Sequence, residues 1–298
     1  MSTPVLLDCD PGHDDAIAIL LALASPELDV RGITTAAGNQ TIDKTTRNAQ
    51  VVLALAGRED IPVARGAEKP LRRELRTAPA VHGETGLDGP TKLPEPSNSL
   101  LQSPAWELLR DELRPGVVLV PTGPLTNVAL ALGHGARPER IVWMGGAAGE
   151  GNVTPQAEFN AYVDPDAAAA VFAAGADLTM VGLDVTHKAL ARAEHRERLR
   201  RAGRAGRFVA ELLDFYGRFH AERYGWDGSP IHDALAVAVA VDAGLVRTDH
   251  VHVRVHAEDE QRGRTEVVAG AEPNAHVAVE VDAPRFLELL CSRLESLP

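Results

Sequence analysis

The sequence predicts an α/β fold in which helices cover both faces of a mostly parallel central sheet, a Rossmann-like arrangement. Short runs rich in Val, Leu and Ile alternate with helical patterns through the first two thirds of the chain. This alternation is typical of parallel strands joined by crossover helices. A chain of 298 residues can bury a sizeable core. Because no clear boundary divides it, we expect a single domain over residues 1–298.

The strands and helices are predicted from their periodicity, in chain order. Apolar runs rich in β-branched residues predict strands at 5–8, 29–37, 116–123, 140–146 and 177–184. Helical patterns predict helices at 15–25, 41–57, 124–133 and 164–174. Pro26 ends the first of these helices and Gly57 ends the second.

The remainder of the chain is predicted to be mainly helical and then to end in β-structure and a helix. The pattern is helical from 185 to about 243, and Ser229 with Pro230 resembles a helix entry. The last predicted elements are a hairpin within 250–270, a strand near 276–281 and a helix from 284.

Residues 67–99 depart from this alternation, because they are rich in Pro, Gly and charged residues and show little periodicity. An irregular segment of this length is uncommon inside a compact domain and is often a lid or binding loop. It contains the sequence HGETGLDG at 82–89, which its glycines make pliable. We therefore predict a binding loop here.

Composition excludes several classes of function. The formal net charge of −12, with basic residues that scatter rather than cluster, argues against nucleic acid as a partner. No stretch is long and apolar enough to span a membrane, and the N-terminus lacks the pattern of a signal peptide. We expect a cytoplasmic protein with no membrane contact.

Four polar, Gly-rich turns follow predicted strands. They read DCDPGHDD, AAGN, PTGPLTN and MGGAAGEGN and begin at residues 8, 36, 121 and 144. Ligands of open parallel sheets bind beyond the carboxyl ends of the strands, which lie along one edge. These turns are therefore expected to converge on one ligand site.

The first turn carries four carboxylates, Asp8, Asp10, Asp14 and Asp15. Like charges this close cannot all stay ionised without a cation or shifted pKa values. Carboxylate and carbonyl oxygens suit a hard divalent cation, and Ca²⁺ accepts about six to eight of them. An EF-hand is excluded because its twelfth position would be Ile19, where a bidentate Glu is required.

A fifth carboxylate, Asp233, opens an apolar helix late in the chain, next to His232. It can favour the helix N-terminus electrostatically. It can equally bring a further ligand to the cation, with His232 as a proton donor near neutral pH. The residues alone leave both interpretations open.

Together these segments resemble the nucleoside hydrolase family, and most closely its inosine–uridine-preferring members. The motifs that carry the resemblance are DCDPGHDDAIA, TTAAGN with KTTRNA, HGETGLDG, PTGPLTN, MGG with GNVTPQAEFN, and HDA. They occur in this order between positions 8 and 234. The resemblance implies the nucleoside hydrolase form of the α/β fold, with one bound Ca²⁺. It also implies hydrolysis of the N-glycosidic bond of a ribonucleoside to ribose and base.

The resemblance also implies roles for individual residues. The calcium ligands would be Asp10, Asp15, Asp233 and the main-chain carbonyl of Thr122. The ribose site would be formed by Asp14, Asn39, Met144, Asn152, Glu158 and Asn160. Asp10 would act as general base toward a calcium-held water, His82 and His232 would be catalytic on the base side, and Tyr216 would lie near the base. Asp8 would be a supporting carboxylate.

These residue types suit the implied chemistry independently. Departure of the base leaves an oxocarbenium-like ribosyl cation, which nearby carboxylates stabilise. Asp10 can take a proton from water as a general base. Side chains that bond each ribose hydroxyl fix the sugar and disfavour deoxynucleosides.

Base preference rests on two histidines. His82 and His232 resemble the base-side histidines of inosine–uridine-type members, whereas purine-specific relatives carry Trp at these places. This favours pyrimidine or broad specificity, with inosine, uridine and cytidine as substrates. His220 stands where several relatives have Tyr, and this departure leaves the donor of the proton to the base open.

Two other functions compete with this one. The first is a Mg²⁺-dependent phosphatase that uses Asp8 and Asp10, although Lys, which would suit the phosphoryl charge, is scarce. The second is a non-catalytic nucleoside-binding or calcium-binding protein. The family also implies a homo-oligomer, either a tetramer or a dimer. Apart from other copies of the chain, the expected partner is a small ribonucleoside substrate.

Overall fold

The computed structural model describes residues 2–297, and its strands and helices alternate as predicted. The strands are Thr3–Cys9 (β1), Leu28–Thr35 (β2), Val63–Arg65 (β3), Leu100–Leu101 (β4), Val118–Pro121 (β5), Arg140–Met144 (β6), Leu178–Val181 (β7), Leu190–Arg192 (β8), Gly228–Pro230 (β9), Val246–Val255 (β10), Thr265–Val268 (β11) and Ala275–Val281 (β12).

The helices lie mainly between these strands. They are His13–Ala24 (α1), Ile42–Ala56 (α2), Pro79–His82 (α3), Ala105–Glu112 (α4), Thr126–Gly133 (α5), Phe159–Val163 (α6), Pro165–Phe172 (α7), Leu183–Thr186 (α8), Ala193–Arg201 (α9), Arg204–Tyr224 (α10), Asp233–Val241 (α11) and Ala283–Glu295 (α12). Within the described chain, no helix combines the length and apolar character that crossing a membrane requires.

Ten strands form one sheet, in the order β11-β10-β12-β7-β6-β5-β1-β2-β3-β4. The neighbours from β12 to β4 are all parallel, whereas β10 pairs antiparallel with both β12 and β11. The predicted fold class, a mostly parallel sheet between helices, is therefore confirmed. The antiparallel pair β10–β11 is the hairpin expected within 250–270.

Alternation along the central strands divides the core between the two faces of the sheet. In β1, Val5 and Leu7 join a cluster with residues of α1, α10, α11 and α12, whereas Leu6 joins a second cluster with α4, α5 and α7. In β6, Val142 belongs to the first cluster and Trp143 to the second. Since successive strand side chains point to opposite faces, both faces must be covered by helices.

One stretch of the prediction is wrong. Residues 185–243 are not continuously helical, because β8 and β9 interrupt them and pair with each other in a separate antiparallel sheet. Ser229 and Pro230 lie in β9 rather than in a helix entry. The Ser229 hydroxyl donates to the Leu213 carbonyl at 3.0 Å, which ties this strand to α10. Tertiary pairing, rather than local propensity, decides these three-residue strands.

The irregular segment 67–99 is largely as predicted, with one short helix, α3, that ends at His82. Its first part is anchored by Asp164, a buried carboxylate that accepts hydrogen bonds from the Leu71 amide at 2.9 Å and the Thr126 hydroxyl at 2.7 Å. The first half of the segment therefore runs from its contact with Asp164, at the start of α7, to His82 at the end of α3.

Helix α1 supplies a test of the core. Leu20 lies in it with no exposed surface, whereas the side chain of Leu71 is 39% exposed. We expect Leu20→Ala to lower the free energy of unfolding by about 2–5 kcal/mol, because it removes buried methyl groups and leaves a cavity. Leu71→Ala makes the same chemical change at the surface and should cost about 0.5 kcal/mol or less. Urea unfolding followed by circular dichroism measures both, and equal losses would contradict this description of the core.

Candidate active site

The candidate site lies where the strand order reverses, at the carboxyl end of β1. The chain leaves β1 toward β2 on one side and later returns as β5 on the other. Crevices at such reversals are the usual ligand sites of open α/β sheets. Asp10 follows β1 and Thr122 follows β5, so the two turns meet across the crevice.

The crevice opens into a cavity of about 670 Å³, part of it open to solvent. All four predicted turns contribute to its lining, together with α10 and the start of α11. The lining residues are Asp14, Asn39, Ala78, Val81, His82, Thr122, Met144, Asn152, Val153, Glu158, Phe159, Asn160, His187, Tyr216, Phe219, His220, Tyr224, His232 and Asp233. Asp10 and Asp15 are fully buried within the first turn that lines it.

Three carboxylates converge at the bottom of the cavity. Asp14, Asp15 and Asp233 each offer an oxygen, and these oxygens lie within 4.8 Å of one another. All three side chains are buried. Asp233 is the first residue of α11, so the late helix does bring its carboxylate to the first turn.

Asp10 stands beside this group with one oxygen bound and one free. Its Oδ2 accepts a hydrogen bond from the Asn39 amide at 2.6 Å. Its Oδ1 is buried and has no hydrogen-bond partner among the described residues, as is also true of Oδ1 of Asp14. Buried polar oxygens are rarely left unpartnered, so these two atoms indicate a missing partner.

Asp15 is held by several donors. Its Oδ2 accepts from the Gly12 amide at 2.9 Å and from Asn39 Nδ2 at 3.0 Å, and its Oδ1 accepts from the Thr122 hydroxyl at 2.8 Å. Asn39 Nδ2 also donates to the Asp10 carbonyl at 3.1 Å, which leaves Oδ1 of Asn39 for a ligand. These bonds fix the carboxylates before any ligand arrives.

Burial and mutual repulsion raise the pKa values of these carboxyls. Burial, followed by the charge of Asp15, raises the pKa of Asp14 to about 8 and that of Asp10 well above its usual range. Burial, followed by Asp14 and Asp15, likewise raises the pKa of Asp233. Within residues 2–297, no Lys or Arg forms an ion pair with any of them. The cluster therefore lacks positive charge, which a divalent cation would supply.

The donor set fits a hard cation. It consists of carboxylate oxygens, with the Thr122 carbonyl nearby, and contains neither thiolate nor imidazole. The Thr122 carbonyl already accepts Asn160 Nδ2 at 2.8 Å, and its second lone pair stays available. The geometric group includes Asp14, which the resemblance assigns to ribose, and does not include Asp10, which the resemblance assigns to the metal.

Asp8 lies behind the cluster rather than in the cavity. Its Oδ1 accepts from the Thr34 hydroxyl at 2.6 Å and from Asn127 Nδ2 at 2.9 Å. Burial raises its pKa to about 6, although these two hydrogen bonds act in the opposite direction. This position suits the supporting role expected for Asp8.

A polar wall formed by the turn after β6 and by α6 faces the cluster. Glu158 caps α6 and accepts hydrogen bonds from the amides of Asn160 and Gly146, both at 2.8 Å. Burial raises its pKa to about 7 against these bonds. Asn160 Nδ2 donates to the carbonyls of Thr122 and Met144, and Oδ1 of Asn152 is buried without a partner among the described residues. Fixed acceptors thus surround the middle of the cavity.

Histidines and aromatic rings form the opposite wall. His82, His220 and His232 line it with Tyr216, whose ring lies 4.4 Å from that of His220 between centroids. Burial, followed by neighbouring histidines, lowers the pKa of His82 and of His232 well below the usual value. Burial lowers the pKa of His220 to about 4. At neutral pH these rings are therefore neutral, whereas the sequence suggested that His232 titrates near pH 7.

Several lining residues were not predicted from the sequence. His187, Phe159, Phe219 and Tyr224 reach the cavity from α6, α10 and the turn after α8. Helical spacing from Tyr216 on α10 would have identified Phe219 as a neighbour on the same face. His187 carries no signal of its own, because only the pairing of β8 with β9 brings it next to His232, at 5.6 Å between ring centroids.

The raised pKa values predict how stability depends on pH when divalent cations are removed. In the folded chain Asp14 holds its proton up to about pH 8, whereas the unfolded chain releases it near the ordinary Asp value. Asp10 and Asp233 shift in the same direction. Because the folded state then binds more protons, stability must fall as pH rises from about 7 to about 8.5. The buried histidines do not contribute in this window, since they are neutral in both states.

Calorimetry in chelator across this pH window measures the effect. Excess calcium is the control, because a bound cation replaces the protons and should raise the midpoint most at the alkaline end. A midpoint in chelator that is constant or that rises with pH would contradict the predicted repulsion.

Comparison with known proteins reveals extensive sequence similarity. A family model described as inosine-uridine preferring nucleoside hydrolase matches residues 5–288. The chain is 52% identical over 310 residues to a pyrimidine-specific ribonucleoside hydrolase, RihA, of Citrobacter koseri, covering 99% of this chain and 98% of the relative. It is 51% identical over 311 residues to RihA of Escherichia coli O8, covering 99% of both chains.

Solved structures show the same similarity in three dimensions. A purine-preferring ribonucleoside hydrolase from Gardnerella vaginalis superposes with a TM-score of 0.92 and 35% identity over 98% of both chains. A plant nucleoside hydrolase, PpNRh1, superposes with a TM-score of 0.94 and 36% identity, covering 99% of this chain and 100% of the other. Both similarities extend over nearly the whole of this chain.

Proposed function

The chain belongs to the inosine-uridine preferring nucleoside hydrolase family, and from this membership we propose that it hydrolyses pyrimidine ribonucleosides with the help of calcium. Ribonucleoside hydrolase activity itself follows from the family and from relatives that match nearly the whole chain. The observation that carries the finer proposal is the buried group Asp14, Asp15 and Asp233 at the bottom of the cavity.

Calcium is the cation that suits this donor set best. Asp10, Asp15, Asp233 and the Thr122 carbonyl would hold it, and the proximity of its carboxylate oxygen adds Asp14 to them. When bound, calcium would position the attacking water, make it more acidic and offset the carboxylate charges. The buried Oδ1 of Asp14, which has no partner among the described residues, supports this assignment.

Asp10 is proposed as the general base. Its Oδ2 is fixed by the Asn39 amide, so its unpartnered Oδ1 is the atom that would take the proton from water. In the cation-free chain burial raises the pKa of Asp10 well above its usual range, and a bound cation would lower it again, so that the carboxylate is ionised and can accept the proton.

The ribose would lie between the acidic cluster and the wall formed by Met144, Asn152, Glu158 and Asn160. Asp14 and Asn39 would accept hydroxyl hydrogen bonds from the other side. Asn39, Glu158 and Asn160 form hydrogen bonds with the main chain. Asp14 and Asn152 each have a buried oxygen with no partner among the described residues. Such preorganised acceptors fix the sugar and stabilise the positive charge that develops on it.

The base would face His82, His232 and Tyr216. His232 Nδ1 lies 2.7 Å from the Thr186 hydroxyl, which fixes the orientation of the ring. Neutral imidazoles can donate one N–H each to a carbonyl of a pyrimidine base. We infer a preference for uridine and cytidine because the relatives at 52% and 51% identity are pyrimidine-specific.

The phosphatase alternative finds no support in the cavity. Phosphoryl transfer requires cationic groups around the phosphate. Among the residues that line the cavity in the described chain there is no Lys or Arg. A neutral nucleoside therefore suits the cavity better than a phosphate ester does.

Three broader expectations stay with this proposal. We propose that residues 1–298 form one domain, because a single ten-stranded sheet joins both halves of the chain. We also propose a cytoplasmic homo-oligomer, dimer or tetramer, as the resemblance implies. Light scattering of the purified protein tests the assembly state.

Release of free ribose tests the proposed function. We expect ribose from uridine and cytidine, less from inosine and least from adenosine, in buffer that contains calcium. Excess chelator should abolish release, and added calcium should restore it. The tests use folded protein, verified by circular dichroism in each buffer. Activity that is unchanged in chelator would exclude the calcium role, and no ribose from any nucleoside would exclude the proposed substrates.

A further inference from the structure

The tip of the β10–β11 hairpin contacts both elements of the polar wall, the turn after β6 and α6. Residues 262–265, here called the hairpin tip, read RGRT and end at the first residue of β11. Arg264 forms an isolated antiparallel bridge with Ala157, the residue before Glu158. Thr265 is buried and contacts the turn after β6. These four residues are not among those that line the cavity, so the hairpin tip supports the wall from behind.

The Thr265 hydroxyl holds one residue of the turn after β6 by both of its main-chain groups. It accepts a hydrogen bond from the Ala147 amide and donates one to the Ala147 carbonyl, both at 2.8 Å. A hydroxyl has one hydrogen to donate and two lone pairs that accept, so both bonds can form at once. Because Ala147 is itself buried, removal of the hydroxyl would leave its amide and carbonyl without this partner.

Ala147 is connected to Glu158 through the residue that precedes it. The amide of Gly146 donates to Oε2 of Glu158 at 2.8 Å. Gly146 has a φ of +74°, and a Cβ there would lie 3.0 Å from the Thr265 hydroxyl oxygen and 2.7 Å from the Met180 sulfur. Only glycine therefore lets the turn pass this closely between the hairpin tip and β7.

The same hydrogen bonds determine which oxygen of Glu158 is left for a ligand. Oε2 accepts from the Gly146 amide and also from the Ala161 amide, at 3.2 Å. Oε1 accepts one hydrogen bond, from the Asn160 amide at 2.8 Å. Since a carboxylate oxygen has two lone pairs, Oε1 keeps an acceptor position that a hydroxyl in the cavity can use.

Arg262 holds the opposite end of α6. Its Nε donates to the Tyr162 carbonyl at 2.7 Å, and its Nη2 donates to the Val163 carbonyl at 3.1 Å. Its guanidinium also lies 4.3 Å from the centre of the Tyr162 ring. The last carbonyls of a helix have no partner within it, and a cation is favourable there. The hairpin tip therefore fixes α6 at its C-terminal end, while Glu158 caps the N-terminal end.

We propose that Thr265 is a positioning residue for sugar recognition: through Ala147 and Gly146 it holds Glu158 so that Oε1 meets one hydroxyl of the ribose. Thr265 itself acts only through the turn after β6. The inference deepens the proposed function and rests on it, because it requires a ribonucleoside in the cavity. Loss of the Thr265 hydroxyl should therefore weaken recognition of a single sugar hydroxyl rather than of the whole nucleoside.

The test compares uridine with 2′-, 3′- and 5′-deoxyuridine, and release of uracil gives kcat/KM for all four. Glu158→Gln identifies the hydroxyl that Glu158 contacts, because the substrate without this hydroxyl is the one that the change leaves nearly unaffected. Thr265→Val keeps the branched shape and removes the hydroxyl. We expect it to lower kcat/KM by about 10- to 100-fold on the other three substrates, the range for a hydrogen bond to a charged group. On the substrate without that hydroxyl the change should stay within about threefold.

Further variants separate positioning from loss of structure. Thr265→Ser keeps the hydroxyl and should hydrolyse uridine within about threefold of the unmodified protein. The double variant Glu158→Gln/Thr265→Val should be no slower on uridine than Glu158→Gln alone, because both changes act on one contact. Ser25→Ala removes another buried hydroxyl, which donates to the Leu21 carbonyl at 2.7 Å at the far end of α1, and should leave all four rates unchanged. Arg262→Ala, at a partly exposed side chain, should show the pattern of Thr265→Val and takes its place if that variant folds poorly.

The outcomes are distinct. Equal loss on all four substrates, no loss on uridine, or losses that multiply in the double variant would overturn the positioning role. An equal effect of Glu158→Gln on all four substrates would also overturn it, since no single hydroxyl would then depend on Glu158. If the unmodified protein released uracil from none of the four, the proposed function would be wrong and the inference would be rejected with it. Hydrolysis of uridine that Thr265→Val leaves unchanged would reject the inference alone.

Discussion

Asp10→Asn should lower kcat for uridine by about 10³- to 10⁴-fold, at the upper end of the range for general acid–base catalysis. The change keeps the size of the side chain and leaves one oxygen near the metal, but an amide oxygen cannot take a proton from water. The buried Oδ1, which has no partner in the described structure, is the atom that loses its function.

The measurement must separate the base from the ligand. Steady-state rates are taken at saturating calcium, and calorimetric titration gives the calcium affinity of each variant. Asp249→Asn, at an exposed carboxylate paired with Arg247, is the matched control and should leave kcat unchanged. A loss of less than about tenfold at saturating calcium would exclude Asp10 as the base.

2′-Deoxyuridine should be hydrolysed with a kcat/KM about 10⁴-fold below that of uridine. Oxygens of Asp14 and Asn152 are buried in the cavity with no partner among the described residues, and Glu158 is fixed by backbone amides. Removal of a sugar hydroxyl would leave some of these groups unpaired in the complex. Unpaired buried polar groups are costly, and this cost appears as discrimination.

Ribose and deoxyribose release from the two nucleosides, measured in parallel, gives this ratio. 5-Methyluridine is the control, because it alters the base by one methyl group and keeps every hydroxyl. A ratio of uridine to deoxyuridine below about ten would show that the 2′-hydroxyl is not bound by the buried oxygens.

The sequence predicted the parts of the fold in which several residues share one pattern. The β1–α1 and β6 segments are long, apolar and regular, so their alternation specified strands and helices correctly. Strands β8 and β9 have three residues each and exist because they pair with each other. Nothing in their local sequence distinguishes them from the neighbouring helices, and for this reason they were missed.

In the candidate site, too, residues within motifs could be predicted, whereas contacts made by tertiary structure could not. Asp10, Asn39 and Asp233 could be named because their motifs resemble those of the nucleoside hydrolase family. The contact of Thr265 with Ala147 could not be predicted, because the two residues come from segments that only the fold brings together. The geometry also groups Asp14 with Asp15 and Asp233, a proximity that spacing along α1 alone does not specify.

The position of Asp233 at the start of α11 has a consequence for biosynthesis. The acidic turn after β1 emerges early from the ribosome, but the third carboxylate of its group arrives only when most of the chain has been translated. A nascent chain that lacks α11 cannot complete the cluster, because it contains only two of the three carboxylates, Asp14 and Asp15. Cation capture is therefore expected to be a late event that accompanies completion of the domain. Occupancy of the site would then report that the last third of the polypeptide has folded onto the first.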